Sequence, residues 1–170
     1  MAKFMTLFGR FFWGTVAAGL ALPWLVIVTC EAYYGASAEI AKLPHQLFAA
    51  GYNYFTVGLM NALVFVPVGL IVQSVVNRRK EGTATAAHII AAAVVATGEL
   101  ALSLWGQFRV WHNSFDPASH SSTAVIGLYI LVILGLALVP VSYLAGWLTG
   151  KICSSLRNRR PGGARRKAHE

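Results

Sequence analysis

The sequence predicts an all-α fold: an integral membrane bundle of four transmembrane helices with both ends in the cytoplasm, short loops and a basic, disordered C-terminal tail. Three observations predict it. The chain of 170 residues is 56% apolar and only 12% charged, with a mean hydropathy of +0.60, whereas soluble domains carry about 25% charged residues. Four apolar runs are each long enough to cross a bilayer. The basic residues gather at alternate ends of those runs.

A helix rises 1.5 Å per residue, so about 20 apolar residues cross a hydrocarbon core roughly 30 Å thick. The runs lie at about 11–31, 52–76, 84–108 and 122–150. Together they make residues 1–150 one transmembrane domain, and 151–170 a cytoplasmic tail. The first run carries no charge from Phe11 to Thr29. The second ends at Asn77-Arg78-Arg79-Lys80. The third is rich in alanine and holds His88 and Glu99, and the fourth is the longest. Ala36-Ser37-Ala38 resembles a signal-peptide cleavage site, but the long first run with Pro23 and Trp24 favours a retained span.

Direction follows from charge. Of the 14 Lys and Arg, Lys3 and Arg10 precede the first span, Arg78, Arg79 and Lys80 follow the second, and seven lie between Lys151 and Lys167. Only Lys42 and Arg109 fall in the other two loops. Short loops rich in Lys and Arg stay in the cytoplasm, so the expected location is a bacterial cytoplasmic (inner) membrane with both termini inside. Tyr33, Tyr34, Tyr52, Tyr54, Trp105 and Trp111 then mark outer span ends, and Trp13, Tyr143 and Trp147 inner ones. Cys30 and Cys153 fall on opposite sides and cannot pair within one chain.

Small residues four apart let membrane helices approach closely. Gly14/Ala18, Ala17/Ala21, Gly58/Ala62, Ala87/Ala91, Ala92/Ala96 and Gly146/Gly150 fit that spacing, and the third span, densest in small residues, is expected at the bundle centre. Pro23, Pro67 and Pro140 each remove one backbone donor and free a carbonyl one turn earlier.

Glu99 is the foremost candidate for function. An ionised group so far inside a span costs several kcal/mol. Helical periodicity places Thr85, His88, Ala92, Ala96, Glu99 and Ser103 on one small or polar stripe, which should face the bundle interior. Asn61, Tyr129 and Trp24 lie at the depth of Glu99, and Gln73 at that of His88. The candidate intramembrane polar site is therefore Glu99, His88, Asn61, Tyr129 and Gln73. It acts either as a proton or cation site or as a packing device, with protonated Glu99 bonded to Asn61 or Tyr129.

Other chemistry is weaker. His112, Asp116 and His120 are spaced four apart, as metal ligands on a helix would be, but Pro117 interrupts that helix and Asp116 serves more simply as a turn cap. No cofactor is implied; a haem between helices would need a membrane-depth histidine opposite His88. Arg157, Arg159, Arg160, Arg165, Arg166 and Lys167 suit anionic lipid headgroups. Nucleic acid is disfavoured because the tail has no aromatic residue on which bases could stack. No nucleophile with its base and no phosphate loop is visible, so an enzyme is not expected.

These features describe a small non-enzymatic polytopic membrane protein, a structural or accessory subunit of a membrane assembly or a homo-oligomer in an anionic bilayer. The alternative is an oligomeric proton- or cation-coupled transporter or channel using Glu99. The orientation is testable first: alkaline phosphatase fused after Glu170 is expected to be inactive and a fluorescent protein fused there bright, and an active phosphatase would reverse the scheme.

Overall fold

The computed structural model describes residues 8–35, 54–115 and 124–158, and all of its regular structure there is helical. Four helices run in sequence: α1 (Arg10–Tyr33), α2 (Tyr54–Lys80), α3 (Ala86–Phe115) and α4 (Ala124–Asn158). Each contains a stretch long and apolar enough to cross a membrane. All four end later than the apolar windows suggest. α3 continues through Arg109 to Phe115, because Trp111 extends its buried stripe and donates a hydrogen bond back to Gln107 (2.9 Å). Continuing through Lys151 to Asn158, α4 makes the first part of the expected tail helical.

The helix ends follow from local chemistry. Gly9 has no side chain with which to cap α1, and the Gln73 Oε1 of α2 instead accepts from the Phe11 and Phe12 amides (3.2 and 3.4 Å). At the end of α2, Gly82 adopts φ +69°, and the Arg78 carbonyl accepts from the Thr83 and Ala84 amides. This is the left-handed residue and backward bonding that usually close a helix.

Packing is densest within two antiparallel hairpins, α1 with α2 and α3 with α4. The sequence argument centred the bundle on α3. Both α2 and α3 touch every other helix with several residues, but α2 is the more enclosed, with 44% of its apolar window buried against 33% for α3. The reason is the long stripe Val57, Asn61, Val64, Phe65, Val68 and Gln73, which α2 turns inward.

Two of the small-residue pairs meet each other. A Cβ on Gly146 would stand 2.7 Å from the Ala91 Cα, and one on Gly150 would strike Ala87, so the α3 and α4 backbones touch there. Likewise, a Cβ on Gly58 would come within 2.9 Å of the Leu20 carbonyl oxygen. Gly14, Ala17, Ala18 and Ala21, by contrast, lie on the exposed side of α1. The difference is testable in detergent: Gly146→Leu is expected to cost about 1–3 kcal/mol of unfolding free energy, as overpacking does, whereas Gly14→Leu, with nothing within 4 Å, should leave the midpoint in place.

Candidate functional site

Among the described residues the core is mostly apolar but also buries several polar side chains, and the outer surface is rich in large apolar residues. The buried polar side chains are Glu31, Asn61, Gln73, Glu99, Ser103, Gln107 and Ser142, while Trp13, Leu25, Ile133 and Val141 are exposed. Glu99, Ser103 and Gln107 come from α3 at every fourth position, the spacing that keeps side chains on one helix face.

Asn61 is the cross-piece. Proline 23 has no N–H, so the carbonyl of Gly19, four residues earlier, loses its helical donor. The Asn61 Nδ2 donates to that oxygen at 2.6 Å, and the Ser103 hydroxyl donates to Asn61 Oδ1 at 2.5 Å. One buried chain of hydrogen bonds thus links α3, α2 and α1.

Glu99 stands beside this chain and outside it. It is 1% exposed, and neither of its carboxyl oxygens has a hydrogen-bond partner among the described residues. Its place is made by Gly135 of α4: a Cβ there would come within 3.2 Å of Glu99 Oε2 and 2.5 Å of the Val64 Cγ1. Toward the end of the bundle that carries Arg10 and Arg78, the buried residues Val68, Val95 and Val139 form an apolar layer one to two turns away. Toward the other end lie Ser103 and Asn61. The carboxyl is enclosed between valines and a hydrogen-bonded amide.

The five residues expected at this site do not converge. Asn61, anticipated as a partner for Glu99, is engaged by Gly19 and Ser103. Tyr129 shares the depth but is 53% exposed, because the inward stripe of α4 runs through Leu128, Gly135, Val139, Ser142 and Gly146. Gln73 faces the start of α1 and donates to Asn77 Oδ1 (2.9 Å). His88 lies at the mouth of α3, where its Nδ1 meets the Thr85 hydroxyl (2.7 Å) and accepts from the Thr85 amide (3.4 Å).

Two features of the opposite end escaped the sequence argument. Glu31, at the very end of the expected first span and not singled out there, lies within α1 and is 1% exposed beside the buried thiol of Cys30. A few residues on, the hydroxyl of Tyr34 pairs with His112 Nε2 at 2.8 Å and ties α1 to α3. His112 is therefore already engaged by protein. Asp116 and His120 lie outside the described residues, as do Arg159, Arg160, Arg165, Arg166, Lys167 and the Arg157 side chain. Among the described residues, no three metal-capable side chains cluster. The only hint of Glu31 in the sequence was its place one residue after Cys30, before a pair of tyrosines.

Comparison of the chain with protein-family models, with curated proteins and with solved structures gives no match. The site must be read from its own chemistry.

The cross-piece has a measurable signature. Replacing Asn61 with Leu leaves the Gly19 carbonyl without its donor and is expected to lower unfolding free energy by about 1–3 kcal/mol. Ser103→Ala should then cost less in the Asn61→Leu background than alone. Additive losses in that double-mutant cycle would show that the two side chains are not coupled.

Proposed function

We propose that the chain is a small non-enzymatic multi-pass membrane protein that carries protons or cations, with Glu99 as the group that binds and releases them. What carries the reading is that carboxyl: fully enclosed at mid-bundle, with no hydrogen-bond partner among the described residues. Buried polar groups in folded proteins are nearly always paired, and an unpaired one calls for a ligand, a proton or a water. Ionisable groups inside membranes are costly to keep there, and they commonly mark ion pathways and proton relays.

Membrane insertion is supported by the many large apolar side chains exposed on the outer surface and by four helices of spanning length. The basic residues at the shared end of Arg10, Arg78–Lys80 and Lys151 support a cytoplasmic position for both termini. Four helices are few for a solute path, so transport is proposed to occur in an assembly of at least two copies. The two tightly packed hairpins are the units that would move, because packing between them is sparser than within them. Parting the valine layer would expose Glu99 toward the basic end.

A second reading, an accessory subunit held as a fixed bundle, draws on a different observation. The bonds from Ser103 through Asn61 to Gly19, and from Gln73 to the start of α1, brace three helices against movement.

Reconstituted vesicles separate the two. With a pH-sensitive dye inside and a proton or cation gradient imposed, the transport reading expects flux above that of empty vesicles. It expects Glu99→Gln, which keeps shape and removes ionisation, to cut that flux at least about tenfold with the melting temperature unchanged, a loss equivalent to about 1.4 kcal/mol. Wild-type vesicles no leakier than empty ones would overturn it and favour the accessory role.

A further inference from the structure

At the basic end of the bundle, α2, α3 and α4 flank an open cavity of about 320 Å³ lined by Leu70, Ile71, Ser74, Val75, Arg78, His88 and Tyr143. It lies beyond the valine layer from Glu99, and the proposed transport does not use it. We propose that this cavity is a specific binding site for one anionic phospholipid of the leaflet at that end, with the headgroup phosphate on Arg78 and His88 and acyl carbon on Leu70, Ile71 and Val75.

The polar wall is built from donors. Arg78 offers a guanidinium fork, whose geometry matches phosphate oxygens. The backbone N–H of Thr85 can only donate, so His88 Nδ1 is the ring's accepting nitrogen and the neutral ring carries its proton on Nε2. That Nε2–H has no partner among the described residues, and the same holds for the Arg78 guanidinium and the Ser74 and Tyr143 hydroxyls. Glu81, the nearest carboxylate in sequence, forms no ion pair with Arg78 among the described residues. The start of α3, which has no acidic residue in its first turn, turns its positive dipole end to the same mouth. Four unused donor groups, one of them the Arg78 cation, suit an anion.

The apolar wall selects the source. Leu70, Ile71 and Val75 line the same cavity between helices, and a free phosphate would leave them uncovered. A phospholipid covers both walls at once. Basic pockets between membrane helices commonly hold such headgroups. Further charge stands close by on Arg79, Lys80 and on Lys151, whose ammonium lies 5.2 Å from the Trp147 ring centre. That charge attracts any anionic lipid diffusely, so the site predicts more than attraction.

The full chain, purified in mild detergent, is titrated with short-chain phosphatidylglycerol, with phosphatidylcholine of equal chain length, and with inorganic phosphate. Binding is read by thermal shift and by mass spectrometry of the retained lipid. Phosphatidylglycerol is expected to bind at a ratio of one, and the other two at least about tenfold more weakly. Arg78→Gln should weaken phosphatidylglycerol about tenfold beyond the effect of Arg79→Gln, which removes the same charge outside the cavity. His88→Leu should weaken it as well, and His88→Gln, which keeps a donor at a similar reach, should restore most of the loss. These residues are exposed or half-buried, and size-exclusion profiles identify any variant that misfolds. For such a variant, Tyr143→Phe, which removes only a hydroxyl, replaces it in the comparison. Equal losses from Arg78→Gln and Arg79→Gln would overturn the proposal in favour of diffuse attraction. Equal affinity for phosphatidylcholine or for inorganic phosphate would overturn it too.

Discussion

The architecture turns on one carbonyl oxygen. Proline 23 withholds the donor that Gly19 would have found within α1, and in hydrocarbon no water replaces it. The amide of Asn61 does so across the helix boundary, and its own oxygen is answered by Ser103. A defect in one helix thereby sets the height and rotation of two others. The close fit of Gly19 against Phe65, where a Cβ would stand 2.6 Å from the ring, needs that rotation to be correct. With α2 fixed on α1, its valines and Gln73 point inward, and α3 and α4 close over them.

Glu99 depends on the same alignment. Once Asn61 is occupied on both sides, the carboxyl one turn away on α3 has no amide left to share. Gly135 then opens just enough room for it against α4. The bundle answers the break at Pro23 and leaves the Glu99 carboxyl without a partner among the described residues, which is the reverse of what packing alone would favour. The contrast is what singles out this group chemically.

Much of the fold was legible because hydrophobic length and charge placement are properties of the chain itself. The four helices, and the small-residue pairs Ala87/Ala91 and Gly146/Gly150, follow from spacing, but that these two pairs meet each other does not. Periodicity also put Glu99 and Ser103 inside. Partnership was not legible. Asn61, Tyr129 and Trp24 share a depth with Glu99, and depth alone cannot say which side of its own helix a residue occupies; Tyr129 is one position, or about 100°, from the buried Leu128. Nor did the sequence suggest that Pro23 would call on Asn61, since that demand appears only when α2 lies against α1. Glu31 was missed for a related reason: a charge at the edge of an apolar window looks like the start of a loop until packing covers it.

The length of α4 has a mechanical consequence. Its 35 residues extend about 52 Å at 1.5 Å per residue, against a hydrocarbon core of roughly 30 Å. In the proposed membrane such a rod would overshoot the bilayer even when tilted, and a continuous helix through Lys151 and Cys153 to Asn158 would place the surplus at its C-terminal end. The final turns would stand clear of the lipid as a rigid stalk. Asn158 would then be held at a fixed distance from the surface, and any tilt of α4 in the membrane would sweep it sideways like the tip of a lever.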